Sequence, residues 1–181
     1  DTVVNKEWIL EKINEKIKFD TVKIAMDSNS QLRETKQDAF PLKSIFNHYF
    51  SIKDALVRSN AKEASAIAAE FMLAISMVNM EHLNAVEHDI WMKVKNDLNE
   101  NTKGISRSLK IEQQRTYFIS LSKNIYDLIK VSKQETPTFF QHCPMANDGK
   151  GADWLSKENV IRNPYFGSQM LTCGKTIETI K

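Results

Sequence analysis

The chain has 181 residues, 41% of them hydrophobic and 27% charged, with a formal net charge of +2 at pH 7. That composition suits one globular domain with a real core and leaves room for a small appendage. It argues against a nucleic-acid partner, because lysines alternate with acids, as in Lys6-Glu7 and Glu11-Lys12, rather than forming a basic stripe.

No apolar run approaches the roughly 20 residues of a membrane-spanning helix, so the expectation is a chain that is not transmembrane. The sequence starts at Asp1 with no charged-then-apolar leader. Either the chain was trimmed or a signal peptide was removed, and the reading adopted is export.

Residues 1–38 read as an N-terminal helical extension. Trp8, Leu10, Ile13 and Ile17 recur at helical spacing, which predicts a helix near 5–18, and Ser28-Asn29-Ser30 marks a break. Residues 39–134 read as a helical bundle. Pro41 fits a first helical turn, after which Ile45, Phe46, Tyr49, Ile52 and Leu56 form one apolar face. Ser59-Asn60 ends that helix, and Asn60 with Glu63 three residues on can cap the next.

The following helix carries Ala64, Ile67, Ala68, Phe71, Ile75 and Val78. A polar turn at Asn79-Met80-Glu81 reverses the chain. The next helix carries Leu83, Val86, Ile90, Val94 and Leu98 and is expected to end between Asn99 and Gly104. A last helix starts near Ser106 or Ser108 and buries Ile111, Phe118, Leu121, Ile125, Leu128 and Ile129. Short polar turns between such helices predict an antiparallel arrangement.

The texture changes after Lys133. Three of the four prolines and four of the five glycines fall beyond it, so residues 135–181 cannot be a long helix. Short strands are predicted at 139–142 and 176–180, with turns at Asn147-Asp148-Gly149 and Asn163-Pro164. Trp154, Leu155, Tyr165 and Phe166 would pin this segment down. The fold class expected is therefore all-α: an antiparallel bundle of four to five helices with a small irregular or short-strand C-terminal cap, one domain overall.

Both cysteines lie in the cap, Cys143 in Cys-Pro-Met and Cys173 in Met-Leu-Thr-Cys-Gly. Two thiols and the thioethers of Met145 and Met170 are soft ligands, suited to Cu(I) or Ag(I) rather than to hard ions. Residues two apart in an extended backbone share a side, which would place Cys143 with Met145. Met170 and Cys173, three apart, would meet in a tight turn. His142 offers an imidazole beside Cys143.

The competing reading is a Cys143–Cys173 disulfide, which would add about 3–4 kcal/mol by closing its loop, with the methionines as packing. A second group, His88 and Met92, shares one helical face beside Trp91, and could join the sulfurs if the cap folds over it. Packing is the alternative there too.

Enzyme signatures are wanting. The sequence has no phosphate-binding glycine loop, no Gly-x-Ser-x-Gly elbow, no His-Glu-x-x-His and no Cys-x-x-Cys. Glu112 and Arg115 read as a solvated helical pair. The expectation is a protein that is not an enzyme.

The strings FNHYFSIKDALVRSN, HDIWM, IEQQRTYFISLSKNIYDLIK and the cap from QHCPMA through NPYFG to MLTCG resemble an uncharacterised bacterial domain of unknown function, over about residues 42–178. That domain occurs in exported proteins and beside periplasmic adaptor subunits of copper and silver efflux systems. The resemblance implies an extracytoplasmic (periplasmic) location, a helical bundle with a cap, and a link to heavy-metal handling.

Its recurring positions fall here on His88, Trp91, Met92, Cys143, Pro144, Met145, Trp154, Asn163, Pro164, Tyr165, Phe166, Met170, Cys173 and Gly174. Cys-Pro-Met is also similar to the metal-binding motif of efflux adaptors, although Ala146-Asn147 replaces the His-Pro that follows there. The expected function is soft-metal handling by Cys143, Met145, Met170 and Cys173, with His88 and Met92 as more remote candidates and an efflux adaptor as the candidate partner. A disulfide-stapled protein-protein interaction module is the alternative.

Overall fold

A computed structural model describes residues 41–181, which belong to one compact unit. The helix expected near 5–18 and the extension 1–38 lie outside the described residues. Four helices and three strands follow in order: α1 Lys43–Val57, α2 Ala61–Ser76, α3 Ala85–Arg107, α4 Ile111–Ile129, β1 Thr138–Cys143, β2 Ala152–Ser156 and β3 Lys175–Ile180. Single 3-10 turns sit at Met80–His82 and Gly167–Gln169.

The helices follow their apolar spacing. Ile45, Phe46, Tyr49, Ile52 and Leu56 of α1 are all buried, as are Phe118, Leu121, Ile125, Leu128 and Ile129 of α4. On α2 the small residues Ala64 and Ala68 are buried with Phe71, while Ile67 and Ile75 pack at the margin of the core, as does Val78, which was expected on this helix but lies just past its end. Burying each large apolar side chain in this cluster contributes about 1.5–3 kcal/mol. α2 begins where Asn60 accepts the Glu63 N–H at 3.1 Å.

Two features of α3 differ from the sequence reading. It starts with a reciprocal cap: Asn84 accepts the Glu87 N–H at 3.0 Å and the Glu87 carboxylate accepts the Asn84 N–H at 3.1 Å. This turns Glu87 inward and leaves Val86, expected in the core, 57% exposed. The helix also runs past Asn99–Gly104 to Arg107. Thr102 and Ile105 are buried on that extra turn, and Gly104 lets the Tyr117 ring approach so closely that an added Cβ would stand 2.6 Å from it. A glycine that reads as a stop signal is here a packing position.

The cap is a three-stranded antiparallel sheet in the order β2-β1-β3. The described residues are thus mostly helical with the short-strand cap that was expected, although its regular three-stranded sheet sets the fold apart from a purely α class. β1 and β3 cover the two predicted strands. β2 was not predicted, because Trp154, Leu155 and Ser156 are buried in succession, which erases the alternation that marks a half-exposed strand.

β1 pairs β2 from Phe139↔Ser156 to Cys143↔Ala152. Its pairing with β3 shifts between Phe140↔Glu178 and Gln141↔Thr176, making Ile177 a bulge. The sheet packs chiefly on α4 and α1, whereas α3 packs on α2 and α4.

Candidate functional site

The two cysteines reach each other from separate segments. Cys143 closes β1 opposite Ala152, and its side chain is fully buried beside Ala146, Ala152, Trp154 and Tyr165 of the same core. The strand stops there. Pro144 opens a turn in which Asn147 and Asp148 both adopt φ 55° and Gly149 φ 78°, closed by the Gly151 N–H donating to the Ala146 carbonyl at 2.9 Å. The extended-backbone argument joining Cys143 to Met145 therefore lapses at Pro144, and Met145 stands 55% exposed.

Cys173 is carried by the loop from Asn163 to Gly174. Its N–H donates to the Met170 carbonyl at 3.1 Å, the tight turn that their spacing predicts. Asn163, fully buried, knits this loop at both ends. Its N–H donates to the Leu171 carbonyl at 2.8 Å, its side-chain amide donates to the Cys173 carbonyl at 2.8 Å, and its Oδ1 accepts the Tyr165 N–H at 2.8 Å.

Gly174 then passes over the sheet at φ 139°, where a Cβ would lie 2.8 Å from both the His142 carbonyl and the edge of the Trp154 ring. Only glycine fits that backbone and that gap.

The result is a pair of free thiols with their sulfurs 3.1 Å apart, Cys143 sealed and Cys173 partly exposed. A disulfide requires about 2.03–2.05 Å between sulfurs, so about 1 Å of closure would form one. Two metal–sulfur bonds of about 2.3 Å in a line would set the sulfurs about 4.6 Å apart, an opening of about 1.5 Å. The more exposed Cys173 side chain is the one free to supply either movement. The hydrogen bond with Cys143, followed by partial burial, raises the Cys173 pKa above its ordinary value. A proton must therefore leave before this sulfur binds a metal or attacks a disulfide.

The remaining sequence candidates are placed apart from this pair or in other roles. His142 follows β1 alternation to the opposite side from Cys143, and its Nδ1 lies 2.6 Å from Asp153 Oδ1. Met170 is half-buried at the end of the 3-10 turn in the Cys173 loop. His88 and Met92 stand on α3, whose packing partners are α2 and α4, and Met92 is 44% exposed. Among the described residues no three His, Cys, Asp or Glu side chains converge on one point. The donor set the fold gathers is the dithiol.

Sequence reasoning missed the parts that hold the pair. Arg115 is not a solvated partner of Glu112 but a half-buried strut. Its Nε donates to the Pro164 carbonyl at 2.9 Å and its Nη2 to Ser59 Oγ at 3.0 Å, and burial lowers its pKa. An added Cβ on Gly167 would collide with both Ser59 and Arg115. Tyr49 of α1 joins Ser122 of α4 at 2.9 Å and accepts the Leu155 N–H of β2 at 2.9 Å, with burial pushing its pKa far up. Tyr126 donates to Glu178 at 2.6 Å, beside Lys130. Each joins helix to cap across long sequence distances that no local pattern encodes.

Residues 45–136 match the family described as Protein of unknown function (DUF3347), and the chain belongs to that family. No curated protein matches the chain, and no solved structure does. The matched residues span α1 to α4 and end before β1. The sheet and both cysteines thus lie beyond them, where the resemblance was expected to continue to about 178. No described helix is long and apolar enough to cross a membrane.

Proposed function

We propose that this member of the DUF3347 family is a non-enzymatic soft-metal-handling protein in which Cys143 and Cys173 bind one Cu(I) or Ag(I) ion. The observation that carries the reading is the thiol pair itself, 3.1 Å apart, with one sulfur fixed in the core and the other open to exchange. Soft thiolates favour these monovalent ions. An accessible Cys173 lets an ion arrive and leave without opening the core, which suits transfer better than storage.

Met170, carried on the same turn as Cys173, is the nearest thioether by sequence. Met145, His88 and Met92 are proposed only as transient contacts along the surface. On this reading the protein works outside the cytoplasm and hands its ion to, or takes it from, a periplasmic adaptor of a metal-efflux system. The support for that setting is the resemblance described above.

The test is chelator competition for Cu(I) on the anaerobically reduced protein. The native chain should take up one ion tightly, and Cys143→Ser should lose that affinity while retaining its helical signal. Unchanged affinity in Cys143→Ser removes the proposal.

A second reading is favoured by the same distance: a closed disulfide needs less movement than a linear metal site. The protein would then be a stapled interaction module, and metal would change nothing. Of Trp154, Tyr165 and Phe166, which that reading uses as packing or as a partner surface, Trp154 and Tyr165 are buried and Phe166 is partly buried, which supports packing over a partner surface. Thiol titration of the protein denatured without reductant separates the two readings, two free thiols favouring the first and none favouring the second.

A further inference from the structure

We propose that Asn163 is the positioning residue of the dithiol: its side-chain amide, by holding the Cys173 carbonyl, fixes how closely the two sulfurs can meet. The inference rests on the reading of Cys143 and Cys173 as a working pair, but not on which ion they bind.

Cys143 needs no further positioning, since it ends a strand paired on both sides and is sealed in the core. Cys173 lies in a loop and belongs to no strand or helix, two residues before the first residue of β3. Its place depends on a few directional bonds. The Cys173 N–H bonds only within its own turn, to the Met170 carbonyl, whereas Asn163 grips Cys173 from outside that turn, 2.8 Å from amide to carbonyl. The same side chain is anchored from its other end by the Tyr165 N–H, so it cannot swing without breaking a second bond. Tyr165 is fixed in turn, its hydroxyl donating to the Asp153 carbonyl of β2 at 2.6 Å. Asn163 therefore ties the Cys173 backbone to the strand next to the one that carries Cys143.

This is a different job from filling space. An apolar group of similar size would pack in the same place and leave the Cys173 carbonyl and the Tyr165 N–H without partners. The loop would keep its contacts and lose its register. The effective concentration of one thiol at the other would then fall, because more conformations hold the sulfurs apart.

That quantity is measurable without metal, through exchange with glutathione disulfide. The thiolate of Cys173, the more exposed sulfur, attacks one glutathione sulfur and displaces a glutathione thiolate, forming a mixed disulfide. The Cys143 thiolate then attacks Cys173 Sγ, forming the Cys143–Cys173 bond and releasing the second glutathione thiolate. The two protons lost by the cysteines end on the two glutathione molecules, and the two electrons lost by the protein reduce one glutathione disulfide.

The experiment measures this equilibrium constant at pH 8 for the full chain, for Asn163→Ala and for Asn163→Asp. The aspartate keeps the shape and the acceptor for the Tyr165 N–H, and when ionised it turns an oxygen instead of a donor towards the Cys173 carbonyl. Phe71→Leu serves as a control, because it loosens the buried core on α2, whose main contacts are with the other helices. The expected result is a constant about tenfold lower in both Asn163 variants, equivalent to about 30 mV for two electrons, and unchanged in Phe71→Leu.

If Asn163→Ala does not fold, Asn163→Asp decides alone. A constant unchanged in a folded Asn163 variant overturns the inference, as does an equal fall in Phe71→Leu, which would make the effect one of general destabilisation. Failure of the native protein to bind Cu(I) would remove the metal reading and leave this result standing.

Discussion

The helical layer and the sheet are held by different kinds of contact. In the helices, apolar faces repeat every three or four residues, and a core of Ile, Leu, Phe and Ala side chains shares the load among many neighbours. In the cap, single directional bonds set the geometry: Asn163 to Cys173, Arg115 to Pro164, Tyr49 to Leu155 and Tyr126 to Glu178. A shared apolar core tolerates small displacements. A sulfur pair meeting at 3.1 Å does not, and it sits in the half of the molecule where individual bonds decide position. The helices therefore act as the platform and the cap as the adjustable part.

The sharpest way to break this comparison is to ask whether platform and cap fold separately. Phe71→Ala in the helices and Trp154→Ala in the sheet should each cost about 3–5 kcal/mol, and each should shift the same urea transition. Denaturation followed by helical circular dichroism checks this. A helical transition that ignores Trp154→Ala would make the cap an appendage.

Next in size is Tyr49→Phe, which strands the Leu155 N–H and Ser122 and should cost about 1–3 kcal/mol. Its effect should exceed that of Tyr126→Phe, whose lost bond to Glu178 lies at a half-exposed rim. Equal effects would mean that the buried joint carries no more than the surface one.

Acid unfolding sharpens the same boundary. Hydrogen bonds from Tyr126 and then Lys130 hold the Glu178 carboxyl below the usual carboxylate range. A carboxyl depressed in the folded state adds stability above its unfolded pKa, and that stability is lost as pH falls through the folded value. The native chain should therefore lose stability below about pH 4.5, and Glu178→Gln should flatten that part of the curve. A Glu178→Gln profile parallel to the native one would show that the contact does not survive in solution.

The smallest expected change is at Gly104. Alanine there gains about 1 kcal/mol of helix propensity but must push the Tyr117 ring aside. The net should lie within about 1 kcal/mol of zero, and a large loss in thermal melts would show that the ring cannot move.

The same division explains how much of the molecule was legible beforehand. Helices announce themselves through periodicity, so Ile45 to Leu56 and Phe118 to Ile129 were readable as inward faces. Errors arose where a tertiary neighbour overrode a local signal. Gly104 looked like a terminator until Tyr117 was seen to need the space, and Val86 looked apolar enough for a core in which Glu87 was required by the cap of α3.

β2 was hidden by burial on consecutive residues. In the site, the residue types were visible, and so was the turn from Met170 to Cys173. Both readings of the cysteines expected Cys143 to meet Cys173, but the grip of Asn163 and Arg115 that supports this meeting across thirty residues depends on partners far away in sequence.

The most direct test of the soft-metal reading is copper-edge X-ray absorption on anaerobically Cu(I)-loaded native protein, alongside Cys143→Ser. The account predicts a first shell with two sulfur scatterers in the native protein, reduced in the variant. A native spectrum made up of nitrogen and oxygen scatterers, or one unchanged by Cys143→Ser, would contradict it.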